Sequence, residues 1–126
     1  MLSHQFYNIV HIVGIVLIVA VLGGIALHAA TGARREDNPY RVLTGVLHGV
    51  GAFLILLGGF GMLARIGFQH GIGFPGWLWV KIGVWAVLSL AVLLPYRSRP
   101  LALPLLVTLP ILAGVATYMA LYKPLL

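Results

Sequence analysis

Five ionisable side chains fall within long apolar runs of the chain: His11, His28, His48, Arg65 and Lys81. In a bilayer each such residue costs a few kcal/mol at mid-depth, so each calls for a partner or a task. A neutral imidazole offers one nitrogen lone pair to a metal and one N–H donor to a neighbour. Axial ligation of haem iron is chemistry that a histidine on an apolar helix can perform. Lysine and arginine offer cations to the acid groups of an amphiphile. The chain has only two acids, Glu36 and Asp37, adjacent in one polar connection, so no apolar run contains a carboxylate to meet these cations.

Counting along helices at about 1.5 Å per residue sorts the five into two layers. His11, Lys81 and Arg65 fall in one, where Tyr118 and Tyr122 reach the same depth. His28 and His48 fall in the other, with heights that differ by roughly 6 Å, an offset that two axial ligands on adjacent helices can tolerate. His11 and His48 are separated by roughly 18 Å in height, too far for one iron. The first layer is cationic, with one imidazole and no acid. It invites an anionic amphiphile: a haem b bound at iron by His11 with Lys81 and Arg65 near its propionates, a lipid phosphate, or a carboxylate of another subunit. The second candidate pair is His28 with His48, as bis-histidine ligands of a b-type haem.

Each of these residues also has a purely structural reading. Lys81 and Arg65 can snorkel to the headgroups along their aliphatic stems, His11 and His48 can bond backbone carbonyls, and His28 can be solvated at the membrane surface. His4 and His70 lie outside the apolar runs. Other chemistries find little in the chain. It has no cysteine, hence no thiolate metal site, iron–sulfur cluster or covalently attached haem. Ser89, Thr108 and Thr117 have no acid or histidine within a helical turn to activate them. Carboxylate-bridged metals and proton-pumping acids are excluded by the same shortage of acids. Nucleic-acid binding is not expected, because the basic residues are scattered among apolar runs with no polar domain to present them.

The elements that must position these residues follow from composition. Of 126 residues 61% are hydrophobic and 8% charged, with a mean hydropathy of +1.07, far from a soluble domain. Four stretches, roughly 6–30, 42–66, 77–96 and 100–122, are long enough to cross about 30 Å of hydrocarbon as helices. They are continuously apolar, without the period-two alternation of a transmembrane barrel. The first lacks a basic flank and is too long for a cleavable signal, so it is expected to be retained. The connections are short: Thr31 to Arg41 with its charged run, a glycine-rich stretch over 67–76, and a tight turn between Pro95 and Pro100. The expectation is an all-α, integral membrane antiparallel four-helix bundle, residues 1–126 forming a single transmembrane domain.

Arg34, Arg35, Arg41, Arg97 and Arg99 flank one side of the membrane, against Arg65 and Lys123 on the other. The positive-inside rule makes the first side cytoplasmic, placing both termini in the periplasm if the membrane is a bacterial inner membrane. Trp77 and Trp79 then mark the outer interface. Gly45, Gly49, Ala52 and Gly59 give the second span one small face for close approach of another helix, in this chain or in a partner or second copy. Pro104 and Pro110 are expected to loosen the fourth span.

The run from His11-Ile-Val-Gly-Ile-Val to His28-Ala29, together with Trp77-Leu-Trp-Val-Lys81 opening the third span, resembles the small bacterial membrane proteins of the HemJ type. The same layout is similar to the SirB family and, more loosely, to the CopD-like copper-resistance proteins. The resemblance covers the first and third spans, about half the chain, and Trp79 stands where the HemJ pattern has histidine. It implies a haem-b-binding helical bundle with a haem-ligand or catalytic role for His11 and an essential cationic role for Lys81. Any enzymatic activity would be that of a HemJ-like oxidoreductase. The functional expectation is a small redox-associated membrane protein binding haem b or a similar anionic amphiphile. The alternative is a non-catalytic accessory subunit of a larger respiratory or photosynthetic membrane complex, with no cofactor of its own.

Overall fold

A computed structural model describes residues 2–66 and 73–124; the middle of the glycine-rich connection, including His70, lies outside the described residues. All regular structure among the described residues is helical. Helix α1 spans His4–Ala30, α2 Arg41–Arg65, α3 Gly76–Leu90, α4 Leu94–Arg97 and α5 Ala102–Tyr122. A 3-10 turn, Ala91–Leu93, joins α3 to α4, so Gly76–Arg97 forms one apolar span. Among the described residues, four helical segments are therefore long and apolar enough to cross a membrane.

The helix boundaries have local causes. Ser3 caps α1, its Oγ accepting the Phe6 N–H at 3.1 Å, which starts the helix two residues before the apolar run. After α1 the chain turns through Gly32, at φ 89°, a conformation that suits glycine. Asp37 then accepts the Arg34 backbone N–H at 2.8 Å and closes the 3-10 turn Arg35–Asp37. The third span differs from a uniform helix because Pro95 has no N–H to give the Ala91 carbonyl, and the preceding turn tightens to 3-10 geometry. In contrast α5 runs through Pro110 without interruption.

Helix α1 is the centre of the bundle. It packs along α2 for most of its length and against α5 and α4, while α3 packs chiefly on α5 and only lightly on α2. The core joins Ile18, Leu22 and Ala26 of α1 to Ile55, Leu88 and Leu109 of the other helices. Side chains facing away from it are also apolar; Val42, Phe53, Val107 and Leu121 are each more than 60% exposed.

Glycines set the α1–α2 contact, but not those of the Gly45–Gly49 face. A Cβ on Gly14 would lie 2.8 Å from the Gly51 carbonyl oxygen, and one on Gly58 would lie 2.5 Å from the His11 nitrogen. One on Gly61 would meet the Tyr7 ring. Gly45 and Gly49 instead face outward with nothing within 4 Å. The stripe used, Gly51, Ile55 and Gly58, is rotated by about 100° from the stripe through Ala52 and Gly59, one residue along the chain. Of the expected small face, Gly45 and Gly49 thus do not pack within the chain, whereas Ala52 packs against the core and Gly59 lies beside the His11 ring.

Candidate functional site

Light packing between α2 and α3 leaves a half-open cavity of about 580 Å³. Its walls come from the first half of α1, the second half of α2, most of α3 and the last turns of α5. It is mainly apolar, with its polar side chains gathered toward one end: His4 and Asn8 before His11 on α1, Lys81 on α3, and Thr117 and Lys123 from the end of α5. No acid lines it.

His11 is half-buried in the wall, and its Nδ1 lies 2.8 Å from the Ile55 carbonyl oxygen. A carbonyl only accepts, so Nδ1 carries the proton and donates it. A neutral ring then keeps its lone pair on Nε2. Gly59 flanks the ring; a Cβ there would be 3.5 Å from Nδ1 and Cε1. An imidazole fixed by a carbonyl through one nitrogen, with the other left basic, is the arrangement that orients histidine ligands in metal sites. The carbonyl bond of the structural reading is therefore present and leaves ligation open.

Lys81 is half-buried and, among the described residues, has no hydrogen-bond, ion-pair or aromatic partner. Trp77 and Trp85 stand four residues to either side of it, on the same helical face, and both line the cavity. The Trp85 indole N–H donates to the Ala52 carbonyl at 3.0 Å, tying α3 to α2. Trp77 receives the Lys123 ammonium, 5.7 Å from its ring centroid. Lys123 adopts φ 44°, ψ 54°, the one described non-glycine residue in the left-handed region. That conformation costs about 1–2 kcal/mol, and Pro124 follows it.

Arg65 does not join this group. It is exposed in the last turn of α2 and does not line the cavity, as snorkelling would have it. Tyr118 and Tyr122 stack on one another at 4.7 Å, exposed on the outside of α5. Trp79 also faces outward and meets Phe74 at 5.6 Å.

The second histidine pair is committed elsewhere. His48, 5% exposed, donates through Nε2 to the Leu88 carbonyl at 3.1 Å, a second tie between α2 and α3. His28 is partly buried, with Nδ1 2.7 Å from the Tyr96 hydroxyl. Asn38 donates weakly to the same hydroxyl at 3.4 Å, linking the first connection to the end of the third span. Neither histidine lines the large cavity. No cluster of three or more His, Cys, Asp or Glu side chains occurs among the described residues, so a multi-ligand protein metal site has no donor set there.

Inspection of the sequence singled out His11 and Lys81 but missed Lys123, Trp85 and Tyr96. Trp85 was signalled by the four-residue spacing Trp77, Lys81, Trp85. Lys123 had no comparable signal, because its place depends on how α5 ends. Comparison with known proteins returns no matching family model, no curated relative and no similar solved structure.

Proposed function

We propose that this chain is an integral membrane protein that binds an anionic amphiphile, haem b foremost, in the cavity bounded by His11 and Lys81. The observation that carries the reading is the cavity itself, with a basic Nε2 on its wall, an unpartnered ammonium beside it and no acid. Its volume lies within the range of about 300–1,000 Å³ usual for small-molecule sites. Membrane insertion is supported by the outward apolar faces: only 17–33% of each candidate span is buried. An antiparallel order is supported by the cavity walls, which use the start of α1, the end of α2, the first part of the span Gly76–Arg97 and the end of α5. The five arginines of the other end favour a cytoplasmic location for it, with both termini periplasmic in a bacterial inner membrane.

The donor set would suit haem with one protein ligand to the iron. His11 Nε2 would hold the iron, Ile55 would fix the ring through Nδ1, and the indoles of Trp77 and Trp85 would border the macrocycle. Bound haem would supply one-electron chemistry. The residues of the chain bind it, orient it and exclude water from its apolar face. His28 and His48 take no part, since their hydrogen bonds join helices elsewhere. This assignment is consistent with the HemJ-type resemblance at His11 and Lys81 and requires no enzymatic activity.

The test is the visible spectrum of protein purified in mild detergent from haem-replete cells. A Soret band that is lost in His11→Ala and kept in His28→Ala supports the reading. A colourless preparation overturns it. The accessory-subunit reading draws support from Gly45 and Gly49, which open outward on α2 as a partner helix would require. Co-migration of a colourless chain with a large membrane assembly would favour it.

A further inference from the structure

The cation that the sequence leaves at the membrane surface, Lys123, is held at the cavity mouth at an energetic cost. It is a non-glycine residue in the left-handed region, and the proline after it disfavours helical backbone at that position. Strain of this kind persists only where the surroundings over-determine it, and it clusters at ligand sites. Here the surroundings are the face of Trp77, over which the ammonium sits. The turn brings Lys123 into the lining of the cavity that also contains Lys81, so both ammoniums belong to one acid-free pocket. Two like charges gathered without an acid between them are an unfavourable arrangement that a dianion would reverse.

We infer that Lys81 and Lys123 form a two-cation clamp at the cavity mouth that selects amphiphiles with two carboxylates at one end. This rests on the proposed anionic-amphiphile site and adds the number of acid groups. A monoacid would leave one ammonium unanswered at the edge of an apolar cavity. A diacid with a flat apolar body would place one carboxylate on each lysine and its body between Trp77 and Trp85. Lys123 is thus a specificity-determining residue, positioned by the left-handed turn and by the indole of Trp77.

The test uses detergent-purified full chain and an iron-free probe, protoporphyrin IX, with its monomethyl and dimethyl esters, followed by porphyrin fluorescence. The diacid should bind best, the monoester less well and the diester at least about tenfold more weakly, the loss expected for a charge-assisted hydrogen bond. Lys123→Gly suits the left-handed turn and removes the cation, so the fold is retained. It should weaken diacid binding about tenfold and leave the diester unchanged, while Lys123→Arg restores the preference. Equal affinities for diacid and diester, or no response to Lys123→Gly, would overturn the clamp. A His11-dependent Soret band alongside that negative result would overturn the clamp alone. Failure to bind either haem or porphyrin would overturn the underlying site as well. Displacement by phosphatidate at lower concentration than by the diacid would assign the lysines to a lipid phosphate and overturn the dicarboxylate assignment.

Discussion

The His11 imidazole and the Ile55 carbonyl are joined at 2.8 Å across the α1–α2 interface, and this one bond decides which ring nitrogen is available to a ligand. In the ligand-free protein with a neutral ring, the proton is expected on Nδ1. Nitrogen-15 chemical shifts of labelled histidine, assigned through His11→Ala, check this directly. Finding the proton on Nε2 would remove the basis for ligation.

The glycines make a contrast that can be read from stability. Gly58→Ala presses a methyl group onto the α1 backbone at His11, and overpacking of this kind costs about 1–3 kcal/mol. Gly45→Ala and Gly49→Ala meet nothing within the chain, so the monomer in detergent should unfold at a slightly higher temperature, since alanine is favoured over glycine in a helix by about 0.5–1 kcal/mol. Equal effects at Gly58 and Gly45 would contradict the observed α1–α2 contact.

His48 carries a structural load separate from the cavity, which it does not line. Its N–H to the Leu88 carbonyl is buried, and His48→Ala should destabilise the protein by about 1–3 kcal/mol. Haem retention per folded molecule should be unaffected. Loss of the Soret band with unchanged stability would instead make His48 a ligand.

His28 and Tyr96 are expected to act as a pair. A double-mutant cycle with His28→Ala and Tyr96→Phe should show a coupling of about 0.5–1.5 kcal/mol, the size of one net hydrogen bond. Additive effects in chemical denaturation would mean that the 2.7 Å contact contributes nothing in solution.

Topology is open to reporter fusion in a Gram-negative host. Alkaline phosphatase joined after Asp37 or after Ser98 should be inactive, and joined after Lys123 it should be active. The reverse pattern would place the cavity mouth in the cytoplasm.

The four apolar spans could be read from the sequence because bilayer thickness and hydropathy fix their number and approximate length. His11 and Lys81 stood out for the same reason: a polar group in an apolar run is conspicuous before any contact is known. Which glycines pack was not legible. Gly45–Gly49 and Gly51–Gly58 are equally plausible on a helical wheel, and the choice depends on the facing residues Tyr7, His11 and Gly14. Lys123 escaped for a related reason. Charge counting put it at the membrane surface, whereas its reach over Trp77 depends on one backbone turn at the end of α5. Arg65 was grouped with the site by height alone, and height along an axis says nothing about azimuth. Its side chain is exposed and does not line the cavity.

The tight glycine seam between α1 and α2 also bears on biogenesis. That hairpin holds His11 and Ile55, whereas Lys81 and Lys123 belong to later helices. Sixty-eight residues separate Ile55 from Lys123. At roughly 5–20 residues per second of translation, the imidazole can be seated roughly 3–14 s before the second lysine is made. During that interval the α1–α2 hairpin lacks the cavity walls that α3 and α5 later supply.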